Sequence, residues 1–361
     1  NNIKEELKWI YNLKEKVPQF LKRIKGRERR GFYKYSLSGD LFGERIKWGL
    51  GNAVFFLKII YTLNLEKAFK LEVKDAINFV QSFQKRDGSI CDPLVSILSF
   101  PLRFYIAFRT LKFRNIMNNQ TKRAETRQSF SALSLFNIKP QYEYRKIPKD
   151  KKQIKKYLEI LNWEFPWGAG SHFSHLLFFL QHSKMKDKNE LIDYAINRIN
   201  RIQNQKDGFW YKGNPSSQQK INGAMKIITG LKAINKVKFN NPKKIIDGAL
   251  LAKNDEQACN NFNIVYVLNY CNKLTQGKYK YLEIKDFMLN RLEIYKQYYY
   301  PKIGGFSFYK NRANKQYYGA FISRGKNEPD IHGTILFLWG ISIIAKILKI
   351  NEDLQLKEHI T

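Results

Sequence analysis

Two segments far apart in the chain carry nearly the same turn: Gln84-Lys85-Arg86-Asp87-Gly88-Ser89-Ile90 and Gln205-Lys206-Asp207-Gly208-Phe209-Trp210. Each stands between a charged amphipathic helix pattern and a nearly all-apolar one. A helix pair that cannot bury its own apolar face must stack on copies of itself, so the period between residues 76 and 348 predicts a repeat architecture.

The alternation runs along the chain. Residues 1–24 show helical spacing through Leu7, Ile10, Leu13 and Phe20, interrupted at Pro18, and Gly31-Phe32-Tyr33 marks a first turn. The segment from Trp48 to Ile60 is apolar almost all round, which predicts a buried helix. Residues 66–85 are amphipathic and lead into the apolar stretch Asp92–Phe108, where Pro101 predicts a kink. Polar-faced helices are expected at 149–162, 187–205, 240–253 and 281–298. Apolar partners are expected at His172–Leu180, Asn222–Ile234, Asn261–Tyr270 and Thr334–Ile347, and a short pair at 112–137. Period-2 alternation is nearly absent, so strands should be few.

This pattern predicts an all-α fold, an α/α toroid of about six or seven helix pairs with apolar inner and amphipathic outer helices. An open solenoid is the alternative, although its helices are less consistently split into greasy and charged partners. The expected organisation is an N-terminal helical extension over 1–30, one toroid domain over 31–350 and a tail over 351–361.

The Lys and Arg count is 64 against 31 Asp and Glu, a formal net charge of +33. Such a surface attracts anions: phosphates, acidic glycans or an anionic membrane face. A composition rich in Lys, Asn and Ile throughout would also place Lys on solvated outer faces without a purpose. No recognition motif or concentrated basic stripe points to nucleic acid. Cys91, Cys259 and Cys271 cannot all pair with one another and show no CxxC spacing, which favours a reducing, cytoplasmic setting. The start Asn1-Asn2-Ile3-Lys4 has no apolar signal core. No apolar run reaches the roughly 20 residues that span a bilayer, so a soluble chain, or one peripheral to a membrane, is expected.

Ala76-x-x-Phe79-Val80-x-x-x-Gln84-x-x-x-Gly88 resembles the repeat of the terpenoid-cyclase and protein-prenyltransferase superfamily of α/α toroids, with Ile90 where a Trp is usual. Ala195 to Trp210 matches it with one extra residue. Gly304-Gly305-Phe306-Ser307-Phe308 followed by Asp330-Ile331-His332-Gly333-Thr334 is similar to the closing repeat. Prenyltransferases of this superfamily bind zinc through an Asp, a nearby Cys and a His, which the resemblance places at Asp255, Cys259 and His332. Asp255 and Cys259 are four apart where Asp-x-Cys is expected. The Asp-x-Asp-Asp acid of class II cyclases and the Asp-Asp-x-x-Asp run of class I are both missing, which argues against ordinary terpene cyclisation.

In a two-layer toroid the starts of the inner helices converge. Polar clusters there include Ser36–Glu44, Cys91-Asp92, Arg123–Gln128, His172 with His175, Gln218-Gln219 with Asn222, Asp255–Asn261 and Glu328–His332. Helix capping explains Ser, Asp and Asn at such positions, but Arg123 and Arg127 at a helix start would oppose the dipole. The expected proton-transfer residues are Asp330, His332, Glu125 and Asp92, because a desolvated carboxyl can titrate near neutrality. Arg123, Arg127, His172 and His175 would bind an anionic group, with Trp167, Trp210 and Tyr317 as aromatic lining. Turn aromatics also brace neighbouring helices. Two functional classes follow: an enzyme acting on an isoprenoid diphosphate or an acidic glycan, and a basic scaffold that binds an anionic glycan or membrane surface without chemistry.

Overall fold

A computed structural model describes residues 7–361 except 112, 114, 115 and 118. Residues 1–6 of the expected extension, and part of the expected pair at 112–137, lie outside the described residues. The chain is all-α in class. In order, the helices are α1 (Lys8–Tyr11), α2 (Leu13–Ile24), α3 (Leu50–Thr62), α4 (Lys70–Gln81), α5 (Pro93–Leu98), α6 (Phe100–Thr110), α7 (Asn119–Ser134), α8 (Lys151–Glu159), α9 (Pro166–His182) and α10 (Lys188–Asn200). They continue as α11 (Ser217–Ala233), α12 (Pro242–Leu250), α13 (Ala258–Leu274), α14 (Tyr281–Lys296), α15 (Ile331–Ile347) and α16 (Asn351–Leu354). Before α15, β1 (Tyr299–Tyr300) pairs antiparallel with β2 (Gly305–Phe306), and β3 (Gln316–Tyr317) with β4 (Ala320–Phe321).

The split into greasy and charged helices appears directly in burial. α15 buries every residue except His332, Leu336 and Lys346. By contrast, α8 buries only Ile154 and Leu158, and α10 only Leu191, Ile192, Ala195 and Ile199. Burying an apolar stripe on one side is what holds the latter helices in place.

Proline acts differently at its two helix sites. Pro101 does more than kink: it stands in the first turn of α6 and separates that helix from α5 at Ser99. Pro18, expected to interrupt, lies inside an unbroken α2. Burial of Val17, Phe20, Leu21 and Ile24 outweighs the one backbone hydrogen bond that Pro18 lacks.

The chain forms two compact units. The first comprises Asn1–Gln141, Gln257–Cys259 and Leu292–His359; the second comprises Tyr142–Glu256, Asn260–Arg291 and Ile360–Thr361. In the second, α9 and α11 pack along one another through small residues. A Cβ on Gly170 would stand 2.7 Å from the Gly223 carbonyl oxygen, and one on Gly230 would stand 2.8 Å from Ser174 Cα. The first unit packs α3 against α4, α7 and α15.

Four turns share one geometry. Gly31, Gly88, Gly208 and Gly304 all have positive φ, and two residues later Tyr33, Ile90, Trp210 and Phe306 bridge back to Lys25, Gln84, Gln203 and Tyr299. Gln84 Nε2 donates to the Gly88 carbonyl at 3.2 Å and Gln203 Nε2 to that of Gly208 at 2.8 Å. The counterpart of Gln84 is therefore Gln203 and not Gln205, the extra residue being accommodated inside the turn. In two of these turns the bridging residue is latched by a threonine. Ile90 N donates to Thr126 Oγ1 (3.0 Å) and Phe306 N to Thr334 Oγ1 (3.0 Å). Each threonine hydroxyl donates to the carbonyl one turn earlier in its own helix, Lys122 O at 2.6 Å and Asp330 O at 2.7 Å, with the turn residue's carbonyl farther off at 3.2 and 3.3 Å.

Candidate functional site

The polar groups of the first unit gather where α3, α5, α7 and α15 begin or pass. Asp92 is 1 % exposed and caps two helices at once. Its Oδ1 accepts from Leu94 N (3.0 Å) and Val95 N (3.2 Å) at the start of α5; its Oδ2 accepts from Gly49 N (2.8 Å) and Leu50 N (3.1 Å) at the start of α3. Burial raises the Asp92 pKa while these four N–H groups pull it down.

Glu125 lies beside it, also 1 % exposed. Among the described residues its carboxyl receives only the Asp92 N–H, at 3.4 Å to Oε1 and 3.3 Å to Oε2. Burial, then the neighbouring Asp92 charge, push its pKa well above the usual carboxyl range. The two adjacent carboxyls have different settings: four N–H donors favour the charged form of Asp92, while burial and the Asp92 charge favour the protonated form of Glu125.

Across from these sits the β3–β4 hairpin. Its two-residue turn, Tyr318-Gly319, has positive φ at both positions, the geometry that fits the right-handed twist of the strands. It places the Tyr317 ring on Gly51, where a Cβ would come within 2.5 Å of Tyr317 Cζ. Tyr317 also packs edge-on to Phe55 at 5.8 Å. The Tyr318 ring stacks edge-on to Tyr317. Tyr318 is 38 % exposed, so solvent meets the cluster there.

His332 lies flat on Phe55, with centroids 4.6 Å apart and planes 13° apart, and its Nδ1 is 3.2 Å from the Tyr35 hydroxyl. Tyr35 is fully buried, which holds its hydroxyl protonated well above the ordinary range, helped by Asp330. Asp330 caps α15: Oδ1 accepts from Gly333 N (2.7 Å), and Oδ2 from Phe308 N (2.8 Å) and Asn314 N (3.1 Å). Burial nevertheless raises its pKa to about 7. Nearby, Asp40 accepts from Tyr35 N, Ser36 N and Ser36 Oγ, and burial raises it to about 6.

Of the residues singled out by sequence, Asp92, Glu125, Arg127, Tyr317, Asp330, His332 and Cys259 all belong to the first unit. Arg123 also lies there, half-buried in α7. Since α7 begins at Asn119, neither arginine stands at a helix start, and the dipole conflict expected of them does not arise. Arg127 is buried well inside the helix.

His172, His175, Trp167, Trp210 and Asp255 belong to the second unit. His172 and His175 face each other edge-on at 5.7 Å, and His175 Nε2 is 3.5 Å from Ser171 Oγ. Trp210 is 1 % exposed and packed edge-on to Phe239, which makes it a brace within the core. Trp167 stands in the first turn of α9, its N–H donating to Gln219 Oε1. Asn222 anchors a buried amide network there, donating to Asn260 Oδ1 and accepting from Asn254 and Asn263.

Among the described residues, no group of three or more His, Cys, Asp and Glu side chains comes together as a metal ion would require. Asp255, Cys259 and His332 therefore do not fit the zinc set that the resemblance implied. Tyr35 and the seat at Gly51 join the site without having been singled out, whereas Asp40 falls within the polar cluster Ser36–Glu44 and Tyr318 next to Tyr317 among the turn aromatics. The Tyr-Tyr-Gly sequence at 317–319, a two-residue hairpin turn flanked by strand formers, is the signal that places both tyrosines in a turn.

No family model matches the chain, and no curated protein matches it. Two solved structures are similar. One is described as a protein from Actinoplanes, 11 % identical, with 92 % of this chain and 98 % of that chain covered and a TM-score of 0.49. The other is a family 76 glycoside hydrolase from a bovine Bacteroides thetaiotaomicron strain, 10 % identical, with 94 % of this chain and 77 % of that chain covered and a TM-score of 0.44. Likenesses at this level assign neither a family nor an activity.

Proposed function

We propose that the chain is an enzyme that acts on an anionic glycan by acid/base chemistry, with its proton donor at Glu125. The observation that carries the reading is the pairing of Glu125, buried with its pKa pushed upward, with a neighbouring Asp92 that is engaged by four backbone donors. A fold that needed only a cap at this point would have it in Asp92. The second carboxyl adds burial cost without adding a cap.

Glu125 would donate its proton to the leaving oxygen of a glycosidic bond, and Arg127 would hold the carboxylate or sulfate of the sugar. The His332–Tyr35 pair would take up the balancing proton, from the water that adds at the anomeric carbon as the glycosidic C–O bond breaks or, in an elimination, from the sugar carbon beside the carboxylate as a C=C bond forms, with Tyr35 fixing the imidazole through Nδ1. Asp330 and Asp92 would act as the scaffold that holds these groups, their oxygens being engaged by backbone. The polar lining favours a glycan over an isoprenoid, whose chain would leave the Tyr, His and Glu groups without partners. The placement of these groups in one toroid domain over 31–350 is a proposal that rests on the repeat in the sequence.

The test is turnover of a panel of polyuronates and sulfated glycans, read by new reducing ends and by ultraviolet absorbance of unsaturated products. Glu125→Gln should lower kcat on the accepted glycan by about 10²- to 10⁴-fold with KM little changed. Full turnover by Glu125→Gln, or no turnover of any anionic glycan by the unaltered protein, overturns the proposal.

A further inference from the structure

The most exposed apolar surface of the first unit is α6 with the residues flanking it. Ile97 is 68 % exposed, Phe108 66 %, Leu111 77 % and Met117 69 %, and α6 buries only Ala107. At 100° per residue, Phe100, Leu102, Phe104, Tyr105, Ile106 and Phe108 point to nearly every side of the helix except the one that carries Arg103 and Ala107. Phe100, Phe104 and Phe108 share one exposed face, and a lipid interface takes such an aromatic face when basic residues lie beside it.

The charge around this surface has one sign. From Pro93 to Ala124 the sequence carries Arg103, Arg109, Lys112, Arg114, Lys122 and Arg123 and no Asp or Glu. Acidic residues return only at Asp92 and Glu125, both buried in the candidate site. The Arg109 guanidinium lies over the Tyr105 ring at 5.9 Å, at the outer surface. The helix, 11 residues and about 16 Å long, is too short to span a bilayer of roughly 30 Å. No helix among the described residues is long and apolar enough to cross a membrane.

We infer that α5 and α6 form a docking surface for an anionic lipid membrane, with the exposed aromatic side chains entering the headgroup layer and Arg109 pairing with lipid phosphates. Each basic residue near such a surface contributes attraction, and the buried aromatic area contributes the part that salt does not screen. The inference stands independently of the proton chemistry at Glu125.

Co-sedimentation of the full chain with vesicles of phosphatidylcholine alone, or of phosphatidylcholine mixed with phosphatidylglycerol, tests it. Both Phe104 and Phe108 are exposed, so Phe104→Ser with Phe108→Ser should leave the helical circular dichroism unchanged. The unaltered protein should bind the anionic vesicles and bind the neutral ones more weakly. The double variant should bind the anionic vesicles at least about tenfold more weakly, from the lost apolar contact. Failure of the unaltered protein to bind anionic vesicles overturns the inference. So does equal binding by the double variant, which would reduce the effect to general attraction by a chain of +33. A solution dimer that dissociates in the double variant would overturn it in favour of a second copy as the occupant.

Discussion

Gly51→Ala separates two effects of opposite sign. Alanine is the better helix former, and in α3 the exchange would ordinarily stabilise by up to about 1 kcal/mol. Here the new Cβ would lie 2.5 Å from Tyr317 Cζ, 2.6 Å from its hydroxyl oxygen and 2.8 Å from Cε1. Ordinary contact requires about 3.5 Å or more, so the ring must move by roughly 1 Å. It cannot move freely: Tyr317 is 7 % exposed, wedged against Phe55 and Tyr35, and carried on a hairpin with a two-residue turn. Overpacking of this kind costs about 1–3 kcal/mol. The clash should win, leaving a net loss of about 1–2 kcal/mol. In a Tyr317→Leu background the same exchange should stabilise by about 0.5–1 kcal/mol, because the obstructing ring is gone. Urea midpoints of the four proteins, followed by circular dichroism, measure this cycle. A neutral or stabilising Gly51→Ala in the Tyr317 background would show that the ring is not seated on α3 and would remove the hairpin from the site.

Asp92→Ala strips the acceptor from four backbone N–H groups at two helix starts and should cost about 3–5 kcal/mol in urea unfolding, with Asp92→Asn near half of that. His359 is buried between Thr62 and Trp339, and burial, then the Lys58 charge, hold its pKa well below 6.5. Its folded pKa lies below the unfolded value, so its contribution is present above about pH 6.5 and lost as the pH falls further. A His359→Gln variant should therefore lose less stability than the unaltered protein between about pH 6.5 and pH 5 in thermal melts. A parallel decline in the two proteins would refute the assignment.

Helix order and the division into greasy and charged partners were legible because burial on one side leaves a 3.6-residue trace in the sequence. The predicted helix at 187–205 appears as α10, and that at Thr334–Ile347 as α15 with one further turn at its start. Local spacing does not say which of Gln203 and Gln205 folds back onto Gly208, and the structure shows that Gln203 does. Asp92 and Asp330 were recognised as polar residues at helix starts, but only the fold shows what their oxygens hold. Asp92 reaches Gly49, 43 residues earlier in the chain. Tyr35 escaped for the same reason: nothing nearby in sequence announces a contact with His332, 297 positions away.

The threonine latch has a consequence for how such a site can change. Thr126 and Thr334 grip equivalent turns in the same way, yet the residues just before them could hardly differ more. Glu125 receives the N–H of Asp92, two positions beyond the latched Ile90. At the matching place Gly333 has no room for a side chain, since a Cβ there would stand 2.5 Å from Phe308 N. Fastening, and the reactivity proposed for Glu125, thus fall on adjacent letters of the repeat. The fastening letter is the same in both copies, while the backbone packed against its neighbour decides whether that position can carry a side chain: the joint at Thr126 has room for an acid and the joint at Thr334 does not.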